Sequence, residues 1–297
     1  LAVGLALALR LGAPKRAVVP PAPVRVSVEL GVDASLQAVN SAAMLALSPD
    51  GTLLAFTAQS GTASQLYVRR LGQLQATPLS GTNAARDPFF SPDGQWIAFF
   101  TGGKLKKISV NGGTAVTLCD TTTDRGGAWT RDGSIVFQGA TSGPLLRVSE
   151  AGGKPEPLTM LAEGEVTQRW PQVLPDGKGI LYSGHSSVNG FDDANLVVQP
   201  LPSGPRTVVR RGAYYGRYLA SGHLVYINSN TLFAVPFDLG RLEPTGSPVP
   251  VLEGVLATPS SGFSGAVAIA ISETGTVVLC RAKARAPARR FSGWTVR

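Results

Sequence analysis

An internal repeat constrains this chain of 297 residues more than any other feature. A turn of the form Ser-Pro-Asp-Gly, with an apolar segment on each side, occurs at Ser48–Gly51 and again at Ser91–Gly94. Looser copies follow, and the turn glycines are Gly51, Gly94, Gly133, Gly177, Gly222 and Gly275. Their spacings are 43, 39, 44, 45 and 53 residues. A period of about 40 to 45 residues, with strands on both sides of a turn, indicates a β-propeller.

The residues of the repeat have clear local roles in a turn. Proline fixes φ at the second position, aspartate bonds nearby backbone groups, and glycine accepts a positive φ at the end. We therefore predict structural roles for the turn residues Asp50, Gly51, Asp93, Gly94, Asp132, Gly133, Asp176, Gly177, Gly222 and Gly275. Each turn is expected to join the innermost strand of a blade to the second strand, and two further strands follow in five repeats.

The sequence thus predicts an all-β protein, a β-propeller of four-stranded antiparallel blades over residues 24–297, and the repeats favour six blades. The sixth repeat has two strands and is followed by residues 281–297, which are atypical and are interpreted as a truncated or frame-disturbed end. Residues 24–30 are predicted to be the outer strand of the sixth blade, and residues 291–296 its third strand. This pairing would close the ring without an open sheet edge.

The two ends of the chain carry its positive charge. The net charge is +8, yet the first 25 residues contain four basic residues and the last 17 contain six, with no acid in either, which leaves −2 for residues 26–280. A basic body that attracts nucleic acid is therefore not supported. Residues 1–9 are apolar, and a proline-rich stretch follows. Residues 1–23 are interpreted as the end of a transmembrane helix, or of a signal peptide, with an extended linker; a frayed helix is the third interpretation.

The sequence contains no set of residues typical of an active site. His185 and His223 have no partners at metal-ligand spacing, and there is no nucleophile elbow of the form Gly-x-Ser-x-Gly. Cys119 and Cys280 are 161 residues apart and are interpreted as two buried thiols, with a disulfide as the alternative. We predict no catalytic residue, no metal and no cofactor for this chain.

Arginines recur at one position of the repeat. Arg86, Arg125 and Arg169 each lie seven residues before the turn aspartate, and Arg217 lies near that position in the fifth repeat. This position is the entry to the innermost strand, at one mouth of the central channel of a propeller. One interpretation is a ring that binds an anionic ligand or an acidic peptide, because guanidinium groups suit carboxylates and phosphates. The other is that each arginine pairs with a neighbouring blade and only joins the blades together.

The Ser-Pro-Asp-Gly repeats resemble the WD40-like repeats of TolB-type propellers. The order of Ala46–Gly51, Gln65–Arg69, Pro88–Gly94 and Leu232–Asp238 also resembles the propeller region that follows the kinase domain and membrane helix of some bacterial serine/threonine protein kinases. The chain has no glycine-rich phosphate loop and no kinase catalytic loop, so a kinase activity would belong to an upstream segment.

This resemblance implies a non-catalytic propeller that binds a ligand or a protein on the extracytoplasmic side of a membrane, anchored through the N-terminal stub. The alternative is a free periplasmic scaffold of TolB type. The partner expected in either case is a protein or a small anionic or peptide ligand, with no nucleic acid, and the propeller is expected to be monomeric.

Overall fold

The computed structural model describes residues 30–32, 35–36, 45–175, 177–257 and 265–280. The predicted stub and linker of residues 1–23, the tail of residues 281–297 and the turn residue Asp176 lie outside these ranges. Strands are the dominant element, and the described chain contains one short 3-10 helix, Phe191–Asp193.

The strands form successive groups along the chain, and we number them in chain order. The first blade comprises β1 (Ser35–Leu36), β2 (Leu45–Leu47), β3 (Leu53–Ser60), β4 (Ala63–Arg70) and β5 (Ala76–Pro78). The second comprises β6 (Arg86–Phe90), β7 (Trp96–Thr101), β8 (Lys104–Ser109) and β9 (Val116–Asp120). The third comprises β10 (Gly127–Trp129), β11 (Ser134–Phe137), β12 (Leu146–Ser149) and β13 (Glu156–Pro157).

The remaining groups follow the same plan. The fourth blade comprises β14 (Thr167–Val173), β15 (Gly179–His185), β16 (Asn195–Pro200) and β17 (Thr207–Arg211). The fifth comprises β18 (Tyr214–Leu219), β19 (His223–Asn228), β20 (Thr231–Asp238), β21 (Glu243–Pro244) and β22 (Val249–Leu252). The last two described strands are β23 (Ile269–Ile271) and β24 (Val277–Leu279).

Within the blades, all strand pairs are antiparallel, and most of them join strands that are neighbours in the sequence. In the second blade β6 pairs with β7, β7 with β8, and β8 with β9. The first blade gains β1 as an extra strand beside β3, and the fifth ends in two short outer strands that both pair with β20. The predicted all-β propeller of four-stranded antiparallel blades is confirmed, with five such blades in the described residues.

The paired strands β23 and β24 occupy the sixth position of the ring. Ile269 shares an apolar cluster with Ile227 of the fifth blade, and Ala270 shares another with Phe56 of the first blade. This sheet therefore packs between the last and first complete blades. A six-bladed count stays a prediction, because the expected closing strands, residues 24–30 and 291–296, lie outside the described residues apart from Leu30, which packs in the cluster around Phe56.

Three of the repeated turns are held by a hydroxyl group that precedes the turn aspartate by two residues. Ser91 Oγ donates to Asp93 Oδ1 at 2.5 Å, and the backbone N–H of Gln95 donates to the same oxygen at 3.0 Å. Equivalent hydroxyl bonds join Ser48 to Asp50 and Thr130 to Asp132. The glycine that follows is left-handed in all six turns, with φ of 74°, 69°, 76°, 70°, 78° and 92° at Gly51, Gly94, Gly133, Gly177, Gly222 and Gly275.

These turns predict that the propeller loses stability in acid. The hydroxyl bonds from Ser48, Ser91 and Thr130 lower the pKa of Asp50, Asp93 and Asp132. Because each folded-state pKa lies below the unfolded value of about 4, the carboxylates stabilise the fold above that pH, and this contribution is lost as the pH falls through the folded pKa. The free energy of unfolding, measured by urea denaturation, should therefore decline below about pH 4.

A variant with all three aspartates replaced by asparagine is the matched control for acid titration. It should be less stable than wild type at neutral pH and should lose less stability on acidification, because its turns cannot be protonated. Parallel stability profiles of the two proteins would show that the turn carboxylates do not cause the acid sensitivity.

Candidate ligand-binding channel

The inner strands surround a central cavity of about 250 Å³. Residues from all five blades and from β23 line it, so the cavity is the axial channel of the propeller. Most of its lining residues are aromatic or aliphatic, yet polar atoms contribute as much of its surface as apolar atoms do. The lining includes the charged or amide side chains of Asp87, Gln172, Arg217 and Glu273. The aromatic part of the wall is formed by Phe89, Phe90, Trp129, Trp170 and Tyr215.

A backbone bulge recurs where the inner strands enter this channel. The residue seven positions before the turn glycine is left-handed in four blades, with φ of 45°, 85°, 56° and 53° at Asp87, Gly126, Trp170 and Tyr215. The strand pairing shifts register at this point in the second, fourth and fifth blades. Such a bulge redirects neighbouring side chains at the rim of a sheet. Its spacing to the turn is visible in the sequence, but its conformation is not.

The bulges connect successive blades along the channel. The N–H of Gly126 donates to Asp87 Oδ2 at 3.2 Å, and the N–H of Trp170 donates to the carbonyl oxygen of Arg125 at 3.1 Å. The hydroxyl group of Tyr215 donates to the carbonyl oxygen of Ile269 at 3.3 Å. These bonds join the second blade to the third, the third to the fourth, and the fifth to β23.

The three periodic arginines directly precede these bulges, and the structure places them together with two aspartates. Arg86 Nε lies 3.1 Å from Asp124 Oδ2, which forms an ion pair between the second blade and the segment that enters the third. Burial raises the pKa of Asp124, against the opposing charges of Arg86 and Arg125. Arg125 Nη1 donates to the hydroxyl group of Thr123 at 3.0 Å and to the carbonyl oxygen of Asp124 at 2.5 Å. The Arg86–Asp124 pair joins two blades, whereas these two bonds of Arg125 stay within its own segment.

Arg169 is buried completely. Its Nε donates to Thr167 Oγ1 at 3.0 Å, and its Nη2 donates to the carbonyl oxygens of Thr141 at 2.9 Å and Val188 at 3.1 Å. The guanidinium carbon lies 4.6 Å from the ring centre of Phe191. Burial lowers the pKa of Arg169 to about 9, and the positive charge of Arg125 acts in the same direction. Among the described residues, no carboxylate forms an ion pair with this arginine.

Arg217 is not the fourth member of that set. Tyr214 occupies the position equivalent to Arg169, directly before the left-handed residue Tyr215. Arg217 lies two residues after Tyr215. Its Nη1 donates to the carbonyl oxygens of Trp170 at 3.0 Å and Gly216 at 2.7 Å, and its guanidinium group stacks 4.2 Å from the ring centre of Tyr215. Of the four predicted arginines, Arg217 lines the channel and the other three do not.

The other end of the channel is crossed by an ion pair between opposite parts of the ring. Arg131 Nη2 in the turn of the third blade lies 3.3 Å from Glu273 Oε2 in the turn between β23 and β24. Both side chains are exposed. Glu273 lines the channel, so this ion pair lies beside its turn end, whereas Arg86 is partly exposed near its bulge end.

The remaining predicted features are dispersed. His185 is buried and lies 3.5 Å from Asp193, while His223 bonds to Ser221 at the turn end of the fifth blade. Cys119 and Cys280 are both free thiols, as the first interpretation expects, but only Cys119 is buried and Cys280 is partly exposed. Within the described ranges, no group of three or more His, Cys, Asp or Glu side chains could hold a metal ion, and no helix is long and apolar enough to span a membrane.

Comparisons with known proteins agree with this geometry. No protein-family model and no curated protein matches the sequence. A structure assigned as TolB of Agrobacterium tumefaciens superposes with a TM-score of 0.57 at 15% identity, over 80% of this chain and 88% of that one. A structure of a nidogen/laminin complex superposes with a TM-score of 0.53 at 11% identity, over 68% of this chain and 77% of that one. An oligogalacturonate lyase in complex with manganese superposes with a TM-score of 0.50 at 14% identity, over 72% of this chain and 67% of that one. At these identities the likeness identifies the fold, and the chain is a β-propeller.

Proposed function

We propose that this chain is a non-catalytic binding propeller, which takes an acidic group of a partner protein or peptide into its channel against Arg217. The observation that carries this proposal is an arginine in the channel wall that forms no ion pair with any described carboxylate. Its planar guanidinium group is stacked on Tyr215 and is therefore held in one orientation. A fixed guanidinium fork favours carboxylates through paired, charge-assisted hydrogen bonds.

The other polar groups of the channel support binding over catalysis. Asp87 accepts a hydrogen bond from the N–H of Gly126, and Glu273 is paired with Arg131. Gln172 donates to the carbonyl oxygen of Tyr218 and accepts from its N–H. Both acids are thus engaged in contacts between blades, and the described lining of the channel contains no histidine.

A protein partner fits the shape and surroundings of this mouth. The aromatic lining residues Phe89 and Trp129 offer apolar contact within the same channel, and Arg86 adds a partly exposed guanidinium group at the start of β6. Aromatic and arginine side chains are the residues that dominate protein–protein binding energy. A structural neighbour from a nidogen/laminin complex also supports a protein partner.

We expect the substitution Arg217→Met to weaken the binding of acidic peptides at least about tenfold, because a charge-assisted hydrogen bond contributes roughly 1.5 to 3 kcal/mol. The measurement is fluorescence anisotropy with a panel of labelled decapeptides that contain Asp and Glu. Each peptide has a counterpart in which Asn and Gln replace the acids, and these counterparts should bind weakly to wild type.

Arg211→Met is the matched control, because Arg211 is exposed on the outer strand of the fourth blade and lies away from the channel. This variant removes the same charge and should bind the acidic peptides as wild type does. Equal affinity of wild type and Arg217→Met, or of acidic and amide peptides, would contradict the proposed site.

The cellular setting that we propose is extracytoplasmic and membrane-anchored, as the propeller of a bacterial serine/threonine protein kinase. The resemblance of the repeats to such propellers and the apolar residues 1–9 support this setting. The alternative is a free periplasmic scaffold of TolB type. The coding sequence upstream of Leu1 distinguishes the two: kinase motifs followed by a membrane span support the anchored kinase, whereas a signal peptide alone supports the free scaffold.

A further inference from the structure

We infer that the channel recognises a partner segment with two acidic groups, one at Arg217 and the other at Lys107, whose ammonium group lies over an indole ring of the channel lining. This inference rests on the proposed function and adds the chemical class of the partner, a diacidic segment with a defined spacing between its acids. The observation behind it is a second cation that aromatic rings hold at the channel wall and that forms no ion pair with a described carboxylate.

Lys107 lies between two indole rings at the junction of the second and third blades. Its Nζ is 4.9 Å from the ring centre of Trp96 and 5.6 Å from that of Trp129. Each contact is an attraction between a cation and the negative face of an aromatic ring, so the two rings together restrict the position of the ammonium group. Lys107 is partly exposed, and a ligand therefore has access to it.

Trp129 connects this ammonium group to the channel. The residue belongs to β10, the innermost strand of the third blade, and it lines the same channel as Arg217. A hydrogen bond from its Nε1–H to Glu150 Oε2, at 2.8 Å, fixes the orientation of the indole ring. A partner segment that packs against this ring therefore comes close to the ammonium group of Lys107.

Lys107 and Arg217 are held at the channel by the same kind of contact. The guanidinium carbon of Arg217 lies 4.2 Å from the ring centre of Tyr215, and Tyr215 and Trp129 both line the channel. The other cations among the described residues that contact aromatic rings do so at rings outside the lining. Two cations are therefore fixed on two rings of one channel wall.

Both charges are available to a ligand. Neither Lys107 nor Arg217 takes part in an ion pair with a described carboxylate, and Glu150, which accepts from the indole of Trp129, is not within ion-pair distance of Lys107. Carboxylates satisfy such cations through charge-assisted hydrogen bonds. Because the aromatic contacts fix the separation of the two cations, one spacing of the two acids along an extended segment is favoured over the others.

The test is fluorescence anisotropy with labelled peptides that carry two Asp residues at different spacings. About one to five neutral residues separate the acids, which spans roughly 7 to 20 Å in an extended chain. We expect the best spacing to bind wild type at least about threefold more tightly than either peptide in which Asn replaces one Asp. The gain at Lys107 should be about three- to tenfold, because an ion pair of a partly exposed side chain contributes less than a buried one.

Three variants identify the second cation. Lys107→Met should remove the advantage of the second acid, and Lys107→Arg should retain it, because it keeps a cation over both indole rings. Lys106→Met is the matched control and should bind all peptides as wild type does. Lys106 is the preceding residue of β8, so its side chain points to the opposite face of the blade.

Arg217→Met separates this inference from the proposed function. If Arg217→Met weakens the binding of acidic peptides while Lys107→Met leaves the advantage of the second acid unchanged, the Arg217 site stands and the second acidic position is wrong. If Arg217→Met binds acidic peptides as wild type does, both are overturned. Equal affinity of wild type for every spacing would also overturn the inference, because it would show that the channel does not recognise two acids at a fixed separation.

Discussion

Replacement of Trp170 by alanine is expected to lower the free energy of unfolding by about 3 to 5 kcal/mol, which is the usual effect of removing a large buried aromatic side chain. Trp170 is 1% exposed and is the largest of the fully buried side chains. Its ring lies 5.5 Å from that of Tyr215 in the next blade and contacts Gly126 in the preceding one. The indole therefore joins three blades around the channel.

Urea denaturation of wild type and Trp170→Ala measures this effect directly. Leu74→Ala is the control, because Leu74 is 81% exposed and its removal should change stability by less than about 0.5 kcal/mol. A loss of less than about 1 kcal/mol for Trp170→Ala would show that the contacts around the channel do not hold the blades together.

The substitution Gly126→Ala is expected to destabilise the propeller by about 2 to 5 kcal/mol, from a left-handed backbone and from overpacking. Gly126 has a φ of 85°, and a Cβ atom there would lie 2.6 Å from Cε3 and 3.1 Å from Cα of Trp170. Gly81→Ala separates the two causes, because Gly81 has a φ of 77° and no atom within 4 Å of the added Cβ. It should cost about 1 to 2 kcal/mol.

The two substitutions should also be coupled. Much of the overlap in Gly126→Ala is with the indole ring, so the double variant with Trp170→Ala should lose less stability than the sum of the single variants. Chemical denaturation of all four proteins gives this coupling energy. If the losses in stability are additive, the indole ring of Trp170 is not the group that a side chain at position 126 would overlap.

The sequence predicted the blades well because their signal is local. Proline, aspartate and a left-handed glycine specify a tight turn within four residues, and Ser91, Asp93 and Gly94 form in the structure the contacts that such a turn requires. The spacing of these turns then marks each pair of inner strands. Five blades could be located in this way from turn chemistry and the apolar segments beside it.

The channel could be predicted only in part, because its geometry depends on bulges and on contacts distant in sequence. Asp124 is 38 residues from Arg86, and nothing local shows that the two form an ion pair. The left-handed conformation of Trp170 and Tyr215 is rare for aromatic residues and follows from packing between blades. Arg217 lies near the position of the other arginines in a shortened repeat, but counting back from the turn glycine places Tyr214 at their position.

The most direct measurement of the central claim is a crystal structure of the full chain with the acidic peptide that binds it best. We expect a peptide carboxylate inside the channel, with its two oxygen atoms within about 3 Å of the guanidinium nitrogens of Arg217. The peptide would lie against the aromatic wall formed by Phe89 and Trp129. A peptide bound to the outer strands or to the turn end, with the Arg217 side of the channel unchanged, would contradict it.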